Sequence, residues 1–171
     1  MTTLFTTDDP RNAVPNPMNS GFYRTIPLAA VILSFAVVSF YYGKLPEQIP
    51  LHFGPSGEAD NYGPKLLLWI LPIINLAMFY LLGLSAKSSY KFFNYPVKIT
   101  EENAAAQHRI ALELVAVLRL LCCLLIAYLV YGIVLAAMSG GSSINMWVMG
   151  GFLLAIFGSI IYFARAAKMA A

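Results

Sequence analysis

A histidine beside carboxylates is the clearest opening for chemistry in this chain. His52 stands in LPEQIPLHFGPSGEADNYGPK, residues 45–65, with Glu47, Glu58 and Asp60 close by. An imidazole and a carboxylate together can move a proton or ligate a metal ion. Acid–base catalysis also needs a nucleophile and an oxyanion site, and the stretch supplies neither. A transition-metal centre needs several nitrogen or sulfur ligands, and here one histidine stands without a second His or Cys. The run Glu58-Ala59-Asp60-Asn61 lacks the full ligand spacing of a calcium loop. No residue is therefore assigned a catalytic, cofactor-binding or metal-binding role, no cofactor is expected, and the chain reads as a non-enzyme. The expectation is a structural or recognition motif built from Pro46, Pro50, His52, Phe53, Gly57, Glu58, Asp60, Tyr62 and Lys65.

The elements that must carry this motif are apolar. Of 171 residues, 59% are hydrophobic and 11% charged, against about 25% charged in ordinary soluble domains. That excess of apolar surface points to the bilayer as solvent. Uncharged apolar runs cover residues 26–43, 66–84, 120–138 and 144–164, and a helix spanning the hydrocarbon core needs about 20 residues. No alternating pattern of the outer-membrane barrel kind is present. The first run ends without a small-residue cleavage site and reads as a retained anchor. The fold class predicted is an all-α membrane protein of four transmembrane helices, with an ordered extracytoplasmic loop over 43–65 between the first two.

Charge placement orients it. With four spans, Arg11, Arg24, Lys87, Lys91, Lys98, Arg109, Arg165 and Lys168 share one side, and Lys44 and Lys65 the other. The positive-inside rule then predicts both termini in the cytoplasm. The organisation expected is a cytoplasmic tail over 1–25; the first helix, outer-loop motif and second helix over 26–84; a cytoplasmic connector and helix start over 85–111; and the third and fourth helices with a short C-terminal tail over 112–171. No basic cluster is large enough for nucleic acid. The adjacent Cys122 and Cys123 cannot frame a disulfide scaffold and read as apolar packing.

Within the spans, Pro72 is expected to kink the second helix. Asn75 is expected to hydrogen-bond to a neighbouring helix, and Arg119 to snorkel to the interface or pair with a carboxylate such as Glu113. Thr100, followed by two glutamates, reads as an N-cap from which one helix runs to Met138; His108, Arg109 and Glu113 lie on its solvated start. The connector KSSYKFFNYPVKITEEN reads either as a segment lying on an anionic leaflet or as a loop packed on the bundle's end. Gly151, Ala155 and Ser159 recur at intervals of four, a small-residue seam that serves packing within the bundle or against another subunit.

In the outer loop, prolines and glycines imply a defined path without regular structure; IPLHF reads as a short extended piece and GPSGEADNYG as consecutive turns. The pattern Leu45-Pro46, Ile49-Pro50, His52-Phe53, Gly57, Asp60, Tyr62 and Lys65, followed at once by an apolar span, resembles the signature of a bacterial domain-of-unknown-function membrane family that includes the Sdp-toxin immunity proteins. NYPVKITEENA is similar to small members of the same group. The resemblance implies a multi-pass inner-membrane protein that binds a peptide, lipid or envelope component through its outer loop. A second reading is an accessory subunit of a respiratory or photosynthetic complex, although no histidine lies within a span to hold a haem or chlorin. A transporter or membrane enzyme ranks last, for want of buried charges and an inverted repeat. The partners expected are the lipid bilayer and protein subunits, not nucleic acid.

Overall fold

The computed structural model describes residues 14–86, 93–140 and 144–171. Expectations for the tail before residue 14, for Lys87, Tyr90, Lys91 and Phe92, and for the glycine-serine connector at 141–143 lie outside those residues. Helices α1 (Gly21–Tyr41), α2 (Ile70–Ser85), α3 (Ala104–Ser139) and α4 (Met146–Met169) carry the chain. With the 3-10 turns that extend α1 and α2, all four are long and apolar enough to cross a membrane. The all-α expectation needs one correction. Between α1 and α2 the chain folds into two antiparallel strands, β1 (Gln48–Phe53) and β2 (Ala59–Pro64).

Local sequence explains where the helices begin. Asn16 Oδ1 accepts from Met18 N (2.9 Å) and starts a short 3-10 turn, and Ser20 Oγ faces Tyr23 N (3.5 Å) at the start of α1. The helix thus begins at Gly21 rather than at residue 26, which places Pro27 in its interior. Pro72 falls in the first turn of α2, behind the 3-10 segment Lys65–Trp69. Amides in a helix's first turn have no partner within the helix, so the kink expected at Pro72 is not required there. Thr100 and Asn103 form a reciprocal cap: Asn103 N donates to Thr100 Oγ1 (3.3 Å) and Thr100 N to Asn103 Oδ1 (2.9 Å). The helix proper starts one residue later and runs unbroken to Ser139. Its 36 residues span about 54 Å at 1.5 Å per residue, well beyond the hydrocarbon core.

Helix α3 is the hub. Helices α1, α2 and α4 all pack on it, and α1 and α2 pack on each other. Three apolar clusters run along its length: Met18, Ala86, Leu112 and Ala116 near its start; Ala30, Val31, Cys123 and Ala127 midway; and Val38, Leu45, Ile49, Leu68, Val130, Ile133, Val134 and Ile144 toward its end. The last cluster takes in the strand residue Ile49, so the hairpin belongs to the core.

Asn75 is fully buried and bridges three helices. Its Nδ2 donates to Ser34 Oγ of α1 (2.9 Å) and to the Cys123 carbonyl of α3 (3.2 Å). Arg119 departs from both expectations. It is 6% exposed, so it does not snorkel, and Glu113 instead pairs with Arg109 one turn away (3.0 Å). The Arg119 guanidinium sits 3.8 Å from the centre of the Phe79 ring, with Nη1 3.2 Å from Met18 Sδ. An aromatic face and a polarisable thioether stand where a carboxylate was expected. His108 does not share a solvated face with Arg109; Phe93 packs edge-on against it and the Tyr95 hydroxyl lies 3.3 Å from its Nδ1. The described part of the connector is therefore packed on the bundle.

The small-residue seam is split by the rotation of α4. Gly151 and Ala155 are exposed, and a Cβ on Gly151 would meet nothing within 4 Å. Ser159 is half-buried, and its hydroxyl donates back to the Ile156 carbonyl (2.7 Å). The turn of α4 beside α3 carries Phe152, whose ring lies 6.1 Å from that of Tyr128.

Candidate functional site

The hairpin turns through Gly54-Pro55-Ser56-Gly57. Gly57 N donates to the Gly54 carbonyl (2.8 Å) and Gly54 N to the Glu58 carbonyl (2.9 Å). This is a three-residue loop closed by a left-handed residue, with Pro55 supplying a preset φ at its first position. Gly57 has φ +87°, a conformation that L side chains resist. It is constrained a second time: a Cβ there would collide with the Ile144 carbonyl oxygen and lie 3.1 Å from Met146 Cγ. The Gly57 carbonyl accepts from Ile144 N (3.1 Å). The hairpin tip is thereby latched to the link between α3 and α4.

The base is closed from the other side. Lys65 N donates to the Glu47 carbonyl (3.0 Å), and Lys65 Nζ reaches Glu47 Oε1 (3.0 Å) and the Leu45 carbonyl (3.4 Å). The same ammonium lies 5.1 Å from the Tyr42 ring centre at the end of α1. The strands pair Gln48 with Pro64, Ile49 with Gly63, Pro50 with Tyr62, His52 with Asn61 and Phe53 with Ala59. The register shifts either side of His52, leaving Leu51 and Asp60 outside the direct pairs. Leu51 then crosses Gly63, where any Cβ would strike its side chain.

These constraints divide the motif into two sets. Pro50 and Gly57 are buried, together with Leu45, Ile49, Gly54 and Gly63; Phe53 and Lys65 are half-buried. They hold the hairpin on the bundle. Pro46, His52, Glu58, Asp60 and Tyr62 are exposed. Asp60 is not the turn residue expected from the sequence; in β2 it reaches across to His52, with Nδ1 and Oδ1 2.5 Å apart. Their side chains are 66% and 52% exposed, so the pair lies on the surface. Among the described residues no three His, Cys, Asp or Glu side chains converge on one point. The arrangement presents a face with one ion pair and one exposed ring. Sequence reasoning passed over Gly63 and Ile144. Gly63 is legible only once the strands are paired, and Ile144 carries no local signal because its partner, Gly57, lies far away in the chain.

Fold and site together define the class: a multi-pass helical membrane protein with a small β-hairpin latched across one end of its bundle. Residues 29–76, which run from α1 through the hairpin into α2, match a family model described as "Domain of unknown function (DUF1648)". An uncharacterized protein of Archaeoglobus fulgidus is 40% identical over 47 residues, which are 28% of this chain and 26% of that protein. The match thus spans about a quarter of the archaeal relative. No solved structure matches the chain.

Proposed function

We propose that this protein sits in the inner membrane with both termini in the cytoplasm, is not an enzyme, and binds an envelope-side partner through the exposed face of its hairpin. One observation carries the reading. The hairpin is clamped at tip and base, so His52, Asp60 and Tyr62 are displayed on a preorganised surface, which lowers the entropic cost of binding. Arginine and lysine placement supports the orientation. Resemblance to the Sdp-toxin immunity proteins supports a peptide, lipid or envelope component as the partner. A photoreactive phenylalanine analogue in place of Tyr62, activated in intact cells, tests it. A discrete adduct that disappears in the His52→Ala/Asp60→Ala double variant, at unchanged membrane levels, is the expected result. An adduct pattern indifferent to both substitutions refutes it.

A second reading, an accessory subunit of a larger respiratory or photosynthetic complex, draws on α4. Its Gly151 and Ala155 face is left unpacked by the chain's own helices, and small residues let a neighbouring helix approach closely. Purification in mild detergent with a stoichiometric partner, lost on Gly151→Leu, would favour it over the first.

A further inference from the structure

Under the hairpin lies a cavity of about 420 Å³, within the range of roughly 300–1,000 Å³ usual for small-molecule sites. Phe53 and Leu51 roof it. Leu68 and Leu71 line it from the start of α2, Ile133 from α3, and Met149 from α4. Every lining residue is apolar except His52. That histidine is exposed, so it belongs to the rim, and its Nδ1 is committed to Asp60. No partner holds its Nε2 among the described residues.

We propose that this cavity takes one hydrocarbon chain of a membrane lipid, with the lipid's polar head beside His52. Three of its four walls are segments long and apolar enough to cross the membrane, so its depth is where acyl chains begin. Helices α2 and α4 flank it while packing chiefly on α3 rather than on each other. On this reading a chain enters laterally between α2 and α4, without crossing water. A peptide fits poorly. Its backbone would carry N–H and C=O groups into a space that offers one imidazole, and unpaired polar groups there are costly. A hydrocarbon chain brings no such groups. The inference deepens the partner-binding reading and depends on it only at His52, where head and hairpin would meet.

The test uses the full chain reconstituted in vesicles of phosphatidylethanolamine and phosphatidylglycerol doped with a phosphatidylglycerol bearing a diazirine in one acyl chain. Labelled peptides are mapped by mass spectrometry. Labelling at Ile133 and Met149 should saturate with probe and fall under excess unlabelled lipid. Labelling at Leu154, which is 76% exposed on α4, should rise linearly, as annular lipid does. Ile133→Trp, which fills the cavity, should reduce the saturable labelling about tenfold, an affinity loss of about 1.4 kcal/mol, and leave Leu154 labelling unchanged. Met149→Trp fills it from the opposite wall and serves if the first variant does not fold. Linear, non-saturable labelling at Ile133 in the unmodified protein overturns the proposal whatever the variants do. Saturable labelling of a diazirine peptide at the same residues, in place of lipid, also overturns it. Cavity labelling that survives while the Tyr62 adduct is absent would sink the partner-binding reading alone.

Discussion

Replacing Gly57 with alanine tests the latch between hairpin and bundle. The substitution adds one methyl group and two penalties. A left-handed residue other than glycine costs about 1–2 kcal/mol. The new Cβ also collides with the Ile144 carbonyl oxygen, and relieving that contact means pulling the tip away from Ile144. The bond from Ile144 N to the Gly57 carbonyl, 3.1 Å in the docked state, is then lost, at about 0.5–1.5 kcal/mol net. Together these shift the docking equilibrium by about 1.5–3.5 kcal/mol, or between roughly tenfold and 300-fold at 1.4 kcal/mol per decade. The Ile144 amide reports this directly. Its hydrogen exchange in nanodiscs should accelerate by the same roughly tenfold to 300-fold, as expected for local opening below the global unfolding energy. Gly43→Ala is the internal control: no atom lies within 4 Å of its prospective Cβ and its φ is not left-handed. Exchange at Ile144 unchanged by Gly57→Ala, or accelerated equally by Gly43→Ala, would refute the latch.

Other substitutions probe the bundle. Asn75→Leu removes the bonds to Ser34 and Cys123, but Ser34 Oγ keeps its bond to the Ala30 carbonyl (2.8 Å). Interhelical hydrogen bonds in membranes average about 0.6 kcal/mol, so denaturant unfolding in detergent should show a loss of no more than about 1 kcal/mol. Arg119→Met should leave the thermal midpoint unchanged or raise it, because Nε lacks a partner among the described residues and an apolar replacement of a buried charge is often neutral or stabilising; Phe79→Ala, which strips the ring from a charge left in place, should lower it. Glu47→Gln should barely alter hairpin protection against protease: Glu47 is 86% exposed, and Lys65 Nζ keeps its bond to the Leu45 carbonyl. Thr100→Ala removes the hydroxyl that accepts from Asn103 N (3.3 Å) and should cost about 1 kcal/mol, read as faster hydrogen exchange at the Asn103 amide.

The helices were legible because a chain crossing hydrocarbon must satisfy its backbone internally, which writes each span as a long apolar run. The unbroken α3 and the role of Thr100 could be read from local capping chemistry. The hairpin could not. Ala59-Asp60-Asn61-Tyr62-Gly63-Pro64 is poor in strand-forming residues, and the contacts that hold it, from the tip to Ile144 and from the base to Lys65, join positions far apart in the chain. The one local signal was Pro55-Ser56-Gly57, a three-residue loop ending in glycine. Arg119 misled for a related reason. Snorkelling assumes a free path to the interface, and Met18 and Phe79 close that path from two other segments.

By itself the sequence determined that four segments can cross a bilayer and that a stretch dense in proline and glycine joins the first two. Hydrophobicity and backbone stereochemistry act over a few residues, so they can be read along the chain. Tertiary structure alone decided that His52 meets Asp60, that Gly57 meets Ile144, that α4 turns Gly151 and Ala155 outward, and that an apolar cavity lies beneath the hairpin. Each depends on the rotation of a helix or the register of a strand, and those are set by side chains far apart in sequence that meet only when the bundle closes.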